Sequence, residues 1–238
     1  MAQTIPSYVP TNGLVGWWPF NGNAQDESGN GNHGTVNGAT LSSDRFMKSN
    51  SAYTFDGIDD FIQVEDADIL DLTSNYTLSG WYFINNSQKS DQTILGKGSF
   101  EIQTGYQLIL NTFEGQMQFG YNDGEGLNGG VFLKHTTSNL IGWHLLTGSY
   151  DGISAKLYLD GNLVSKVNVK YFLQKSTQPL LFGNEAKYLY RFFNGKLDDI
   201  AIWNRALSEI EIKDLYNSDA LAINPCQQKD SLELVNFK

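Results

Sequence analysis

Strict alternation of side-chain character is clearest in "NYTLSGWYFIN" (75–85). Tyr76, Leu78, Gly80, Tyr82 and Ile84 fall on one side of an extended chain, and Thr77, Ser79, Trp81 and Phe83 on the other. A period of two with apolar residues on both sides predicts a strand covered on both faces. Shorter strand-like runs recur on either side of it. They are "GLVGWWPF" (13–20), the weaker "GTVNGATLS" (34–42), and two strands around Asp56-Gly57 in "AYTFDGIDDFIQVED" (52–66). "TILGK" (93–97), "YQLILNTFEGQMQFGY" (106–121) and "GVFLK" (130–134) follow, then "GWHLLTGSYDG", "SAKLYLDGNLVSKVNV", "QPLLFGNE" and "FNGKLDDIAIWN". Glu114-Gly115 and Asp160-Gly161 each separate two β-prone runs and predict hairpins, the second because both turn positions need positive φ. Short strands, frequent turns and almost no helical period predict an all-β sandwich or barrel.

One helix is expected. In "NRALSEIEIKDLY", Ser208 followed at the third position by Glu211 forms a capping box. Leu207 and Ile212 flank it as a hydrophobic staple, and Ile212, Leu215 and Tyr216 share a face, so a short helix should lie against the edge of the sheets. The pattern gives one domain over residues 12–218, a polar lead-in over 1–11, and a linker or the start of a further segment over 219–238.

The 238 residues carry a net charge of -10. That argues against nucleic acid, whose phosphates require Lys and Arg, and against anionic membrane surfaces. No apolar run of ~18 residues predicts membrane insertion. Cys226 is the one cysteine, so neither an internal disulfide nor a cysteine metal site is available. "AQ" after Met1 resembles the start of a mature secreted protein, which places the expected location outside the cell or on its surface.

"NAQDESGNGNHGTVNG" (23–38) packs carboxylates, amides and hydroxyls among glycines. Such a loop is either a solvated turn or a cage whose oxygens converge, and the residues leave both open.

Three stretches together resemble laminin-G-like jelly rolls of the concanavalin A-like superfamily: "GLVGWWPFNGNAQDESGNGNHGTVNGA" (13–39), "YTFDGIDDFIQV" (53–64) and "FNGKLDDIAIWNRALSEIEIKDLY" (193–216). The resemblance implies a two-sheet antiparallel β-sandwich, a jelly roll, with one short C-terminal helix. It implies a structural Ca2+ held between the loop after the first strand and the last strand, with Asp26, Ser28, Asn30, Asn32 and Asp198 as its ligands. Alternation along "KLDDIAIW" puts Asp198 and Asp199 on opposite faces and leaves the choice between them open. The loop does not match the EF-hand pattern.

The resemblance also implies a non-catalytic, lectin-like recognition module within a larger parent chain. Its partner would be carbohydrate or glycoprotein. The alternatives are an adhesion or spacer module without a sugar site and, more remotely, a polysaccharide hydrolase. Against the hydrolase, there is no "ExDxxE" run, no G-x-S-x-G and no phosphate loop, and alternation separates the neighbouring acids of "DGIDDF" and "KLDD". Tyr106, Tyr121, Tyr188 and Tyr190 are candidate sugar platforms, with Tyr188, Tyr190 and Phe192 on one face that serves equally well as an inner face of the sandwich. His33, His135 and His144 lack metal-ligand spacing, and His144 reads as a satisfied residue of a strand.

Overall fold

The computed structural model describes residues 4–85, 91–99, 104–122, 130–168, 175–186 and 191–222. Its strands in chain order are β1 (Leu14–Trp18), β2 (Gly34–Asn37), β3 (Thr40–Ser42), β4 (Ala52–Asp56), β5 (Phe61–Val64), β6 (Tyr76–Ile84), β7 (Asp91–Ser99) and β8 (Thr104–Asn111). They continue as β9 (Gln116–Asn122), β10 (Gly130–Thr136), β11 (Gly142–Tyr150), β12 (Ser154–Leu159), β13 (Asn162–Asn168), β14 (Leu180–Phe182) and β15 (Asn194–Trp203), and one helix, α1 (Glu209–Ala222), follows.

All strand pairs are antiparallel, and they form the two sheets of a sandwich. One sheet runs β13-β12-β11-β6-β15-β4-β3 with β1 joined to β15, and the other runs β10-β9-β8-β7-β14-β5-β2. The two ends of the domain therefore meet, with Trp17 opposite Ala201 and Trp18 opposite Ile200.

The expected single strand over 34–42 is two strands in different sheets. Gly38 turns the chain between them at φ +79°, and a Cβ there would fall 1.9 Å from an Asp60 carboxylate oxygen. No L side chain fits so close an approach at positive φ. The Asp160-Gly161 hairpin forms as its sequence dictates, with both residues at positive φ (50° and 73°).

Two apolar layers hold the fold. The inner one lies between the sheets, where Trp18 meets Phe182 edge-on at 4.8 Å and Phe20 meets Tyr53 at 5.1 Å. The outer one covers the far face of the eight-stranded sheet and joins Val9, Trp17, Trp81, Leu145, Trp203, Leu207, Ile212 and Leu215. The helix thus lies on a sheet face rather than at an edge. Its capping box forms, with the Ser208 N–H donating to Glu211 Oε2 at 2.8 Å and the Glu211 N–H to Ser208 Oγ at 3.3 Å. The helix runs four residues past the expected boundary at 218, to Ala222. The lead-in is also part of the packing: Val9 is buried and the Trp203 indole donates to the Pro10 carbonyl at 2.7 Å.

Two buried polar residues shape the sandwich. The Lys97 ammonium bonds Asp66 and the carbonyls of Ser176 and Gln178, and lies 3.1 Å from Asp71. His144 is buried as a satisfied strand residue, its Nδ1 2.8 Å from Asp160 and its Nε2 3.2 Å from the Ile141 carbonyl. The bond to Asp160 raises the imidazole pKa above its ordinary value, against the opposing effect of burial. A raised histidine pKa stabilises the fold fully below about 6.5, and the stabilisation is lost as pH rises through the folded value. His144→Asn should therefore cost more at pH 5.5 than at pH 8, as read by urea unfolding at the two pH values.

Candidate functional site

In β15, Leu197, Ile200 and Ile202 enter the inner layer, whereas Ala201 and Trp203 enter the outer one. Simple alternation would split Asp198 from Asp199, and it fails here. Asp199 has φ +43°, and pairing with β6 slips from Asp198 opposite Trp81 to Ala201 opposite Ser79. The extra residue is a β-bulge, which re-aims a side chain. It brings both carboxylates to one guanidinium: Arg45 Nη1 lies 2.8 Å from Asp198 and Nη2 2.9 Å from Asp199.

Arg45 is presented by the turn between β3 and β4. The Asp44 carboxylate accepts the N–H groups of Phe46 and Lys48, both at 2.9 Å, while Met47 and Asn50 take positive φ. This is the local side-chain turn that Asp favours. The guanidinium carbon then sits 4.5 Å from the Trp81 ring centre and 4.6 Å from that of Phe46. The Arg45 side chain is only 5% exposed, so the ion pairs are almost fully desolvated. Burial pushes the Asp198 carboxyl well above the usual range, with Asp199 adding to the rise and Arg45 opposing it. Burial also raises Asp199, against Arg45 and a hydrogen bond from the Trp17 side chain.

A cleft of about 160 Å³ opens beside this cluster. Tyr8, Trp17, Asn21, Asp44, Phe46 and Lys48 line it together with Arg45, Asp198 and Asp199. Phe46 is 41% exposed, and the Lys48 ammonium donates to Asn21 at 2.7 Å. Arg45, in the middle of the unremarked segment "SSDRFMKSNS", was not legible as a site residue. Its only sequence signal is the Asp44-Arg45 pair in a polar turn.

The residues expected to hold calcium fall into two separate groups of contacts. Asp26 is buried, with Oδ1 accepting the N–H groups of Trp17 (3.0 Å) and Ser28 (2.8 Å) and Oδ2 that of Asn32 (2.9 Å). Ser28 Oγ, Asn30 Nδ2 and Asn32 Nδ2 all donate to the Val15 carbonyl, at 3.3, 3.0 and 3.0 Å. The loop is closed by its own hydrogen bonds to β1. Asp198, meanwhile, has its counter-charge in Arg45. A dication shared by Asp26 and Asp198 does not fit these contacts, because it would face a guanidinium already bound to Asp198. Asp26→Asn should cost about 2 kcal/mol through stranded backbone N–H groups. By this reading the loss is equal in excess calcium and in chelator, as thermal unfolding under both conditions would report.

The candidate platforms fare differently. Tyr106 is corrected to a core residue: it is 1% exposed, and its hydroxyl donates to the Leu70 carbonyl at 3.0 Å, so no ligand reaches its ring. Tyr121 lies on β9 opposite Tyr106, but its side chain lies outside the described structure, as do residues Tyr188 and Tyr190. The acids of "DGIDDF", expected on opposite faces, are gathered by the turn after β4: ligand atoms of Asp56, Asp59 and Asp60 lie within 4.8 Å of one another.

The family model described as the concanavalin A-like lectin/glucanases superfamily, a laminin-G group, matches residues 56–213. No curated protein sequence matches the chain. Among solved structures, the binding domain of Paraclostridial Mosquitocidal Protein 1 superposes with a TM-score of 0.70 at 20% identity, over 87% of this chain and 52% of that one. The binding domain of botulinum neurotoxin DC, in complex with rat synaptotagmin II, gives 0.69 at 17% identity, with 87% and 52% covered. Domain 4 of AbnA, an extracellular arabinanase from Geobacillus stearothermophilus in complex with arabinotriose, gives 0.67 at 18% identity, with 85% and 98% covered. The chain thus spans about half the length (52%) of the toxin domains and nearly all of the arabinanase domain. At these identities the likeness shows the fold. Among the described residues, no helix is long and apolar enough to cross a membrane.

Proposed function

The chain belongs to the concanavalin A-like lectin/glucanases superfamily, and from that premise we propose that it is a non-catalytic recognition module of a secreted or cell-surface protein, binding carbohydrate or glycoprotein in the cleft beside Arg45. The observation that carries this reading is the cleft's make-up. An exposed ring (Phe46) and half-buried Tyr8 offer apolar faces for the C–H side of a sugar. Asp44, Lys48 and Asn21 offer hydrogen-bonding groups around them. A small number of fixed polar groups among aromatic rings is how pockets orient polar ligands. The complexes of similar folds with arabinotriose, with SialylT and with synaptotagmin II support a binding role of this class.

The same site argues against hydrolysis. A glycosidase needs one carboxyl as acid and another as base or nucleophile, about 5–9.5 Å apart and both facing the scissile bond. Asp198 and Asp199 instead bind the two prongs of one buried guanidinium. Calcium has no part in this reading of the cleft.

The test is a glycan array that includes arabino-oligosaccharides and sialylated glycans. The wild-type protein should bind a defined subset, and Phe46→Ala and Lys48→Ala should each weaken that binding at least tenfold while leaving the melting temperature unchanged. Binding that survives both substitutions would move recognition elsewhere on the molecule. Binding to a protein or cell surface with no response to any glycan would favour the adhesion reading.

A further inference from the structure

The helix and the lead-in cover only part of the far face of the eight-stranded sheet. Trp81 of β6 is inside that cover, stacked on the Tyr216 ring at 5.7 Å and facing the Arg45 guanidinium. Phe83, the next outward residue of β6, lies beyond it and is partly exposed. Trp143 of β11, also partly exposed, stands directly opposite Phe83. The two ring centres are 5.6 Å apart, with their planes at 52°. On the other side of Phe83 its opposite neighbour is Lys196 of β15, whose Nζ lies 5.7 Å from the Phe83 ring centre. The row continues through Thr54 of β4, opposite Lys196, to Thr40 of β3, opposite Thr54. Directly opposed residues of antiparallel strands share a face, so five strands contribute one side chain each to a single line. At about 4.8 Å per strand the line is about 19 Å long. Lys196 and Thr54 are partly exposed along it and Thr40 is exposed.

The make-up of the line says what fits it. Two aromatic rings offer apolar faces, and one ammonium and two hydroxyls offer hydrogen bonds, all in sequence along one direction. A ligand that presents C–H faces and hydroxyl groups in turn along its length is a sugar chain, and 19 Å gives room for several linked rings. An extended peptide would need an unpaired strand edge. Here β4, β15 and β6 each have a strand bonded on both sides. The charge narrows the class further. The Lys196 ammonium bonds the Ser43 carbonyl at 3.2 Å and the Ser43 hydroxyl at 3.5 Å, and among the described residues it forms no ion pair. No other residue of the line is charged. Asp56, the next outward residue of β4, turns its carboxylate to the N–H groups of Ile58 and Asp59. The line therefore carries one positive charge beside an aromatic ring, which a carboxylate on a stacked sugar would match.

We propose that Thr40, Thr54, Lys196, Phe83 and Trp143 bind a linear acidic polysaccharide, one whose sugar rings carry carboxylates. Phe83 and Trp143 take ring faces, Lys196 takes a carboxylate, and the two threonines take hydroxyls. The site shares none of the residues that line the Arg45 cleft and does not rest on the ligand proposed there.

The experiment is affinity electrophoresis of the full-length protein in native gels cast with polygalacturonate, with alginate, or with the neutral polymers arabinan and β-glucan. Wild type should be retarded by a polyuronate and not by the neutral polymers. Phe83→Leu and Trp143→Leu keep apolar bulk on the sheet but remove the flat rings, and each should weaken the interaction at least tenfold. Lys196→Gln should weaken it by a similar factor. If an aromatic variant does not fold, Lys196→Gln decides. No retardation by either polyuronate would overturn the proposal and leave the rings a purely structural role. Equal retardation by a neutral polymer, or retardation untouched by Phe83→Leu and Lys196→Gln, would overturn it too. Loss of retardation in Phe46→Ala would put the chain in the Arg45 cleft instead and equally overturn it.

Discussion

Arg45→Ala is expected to lower the free energy of unfolding by about 3–5 kcal/mol at pH 7, because it strands two buried carboxylates. Asp198 and Asp199 are 4% and 17% exposed in their side chains, so water entering from the cleft replaces the guanidinium only in part. Both carboxyls already titrate above their ordinary value of 3.8, through burial first. Removing Arg45 takes away an influence that lowers them, so they rise further. A carboxyl with a raised folded pKa contributes its stability below the unfolded value and loses it as pH climbs through the folded one. The deficit of Arg45→Ala should thus be small near pH 4 and grow toward neutrality. Adding Asp198→Asn and Asp199→Asn to the variant should recover part of the loss at pH 7. Urea unfolding across that range measures all of this, and a loss below about 1 kcal/mol would mean the pairs are effectively solvated.

Lys97→Met should be of similar size, about 3–5 kcal/mol, for a related reason. The ammonium is 1% exposed and serves Asp66, Asp71 and two carbonyls at once. Methionine fills the volume but takes the Lys97 donor from the Ser176 and Gln178 carbonyls and from Asp71, 10% exposed, which keeps only a 3.3 Å bond from the Ser176 N–H and Lys175 at 4.0 Å. Asp66 is 40% exposed and can return to water, so Asp66→Asn should cost under about 1 kcal/mol. Denaturant titration of the two variants separates these outcomes, and equal losses would contradict the assignment of the burden to Asp71 and the carbonyls.

Where chemistry is local, the sequence was readable. The Ser208–Glu211 cap, the Asp160-Gly161 turn and the alternation of β6 each need only a few neighbouring residues, and each forms as read. The meeting of β1 with β15 came from the resemblance of the two ends to one family. What sequence reading missed depends on contacts between distant residues. The bulge at Asp199 breaks a period of two that holds along the rest of β15, and nothing in "KLDDIAIW" marks it. Arg45 gains its meaning from Asp198 and Asp199, more than 150 positions away. Tyr106 looked like an exposed platform because an aromatic ring on a strand can face either way. Its strand turns it inward, under Leu70. The oxygen-rich loop has its own long-range bonds too: Ser28, Asn30 and Asn32 donate to the Val15 carbonyl, and Asp26 accepts backbone N–H groups of Trp17, Ser28 and Asn32.

The central claim is that recognition takes place in the cleft at the β15 bulge. Its most direct measurement is an NMR titration of the tryptophan indole N–H signals with the best glycan from the array. The Trp17 indole, bonded to Asp199 in the cleft wall, should shift, whereas those of Trp18 and Trp203, bonded to the Asn32 and Pro10 carbonyls, should stay in place. Saturating ligand that leaves Trp17 unmoved while other indoles respond would contradict the account.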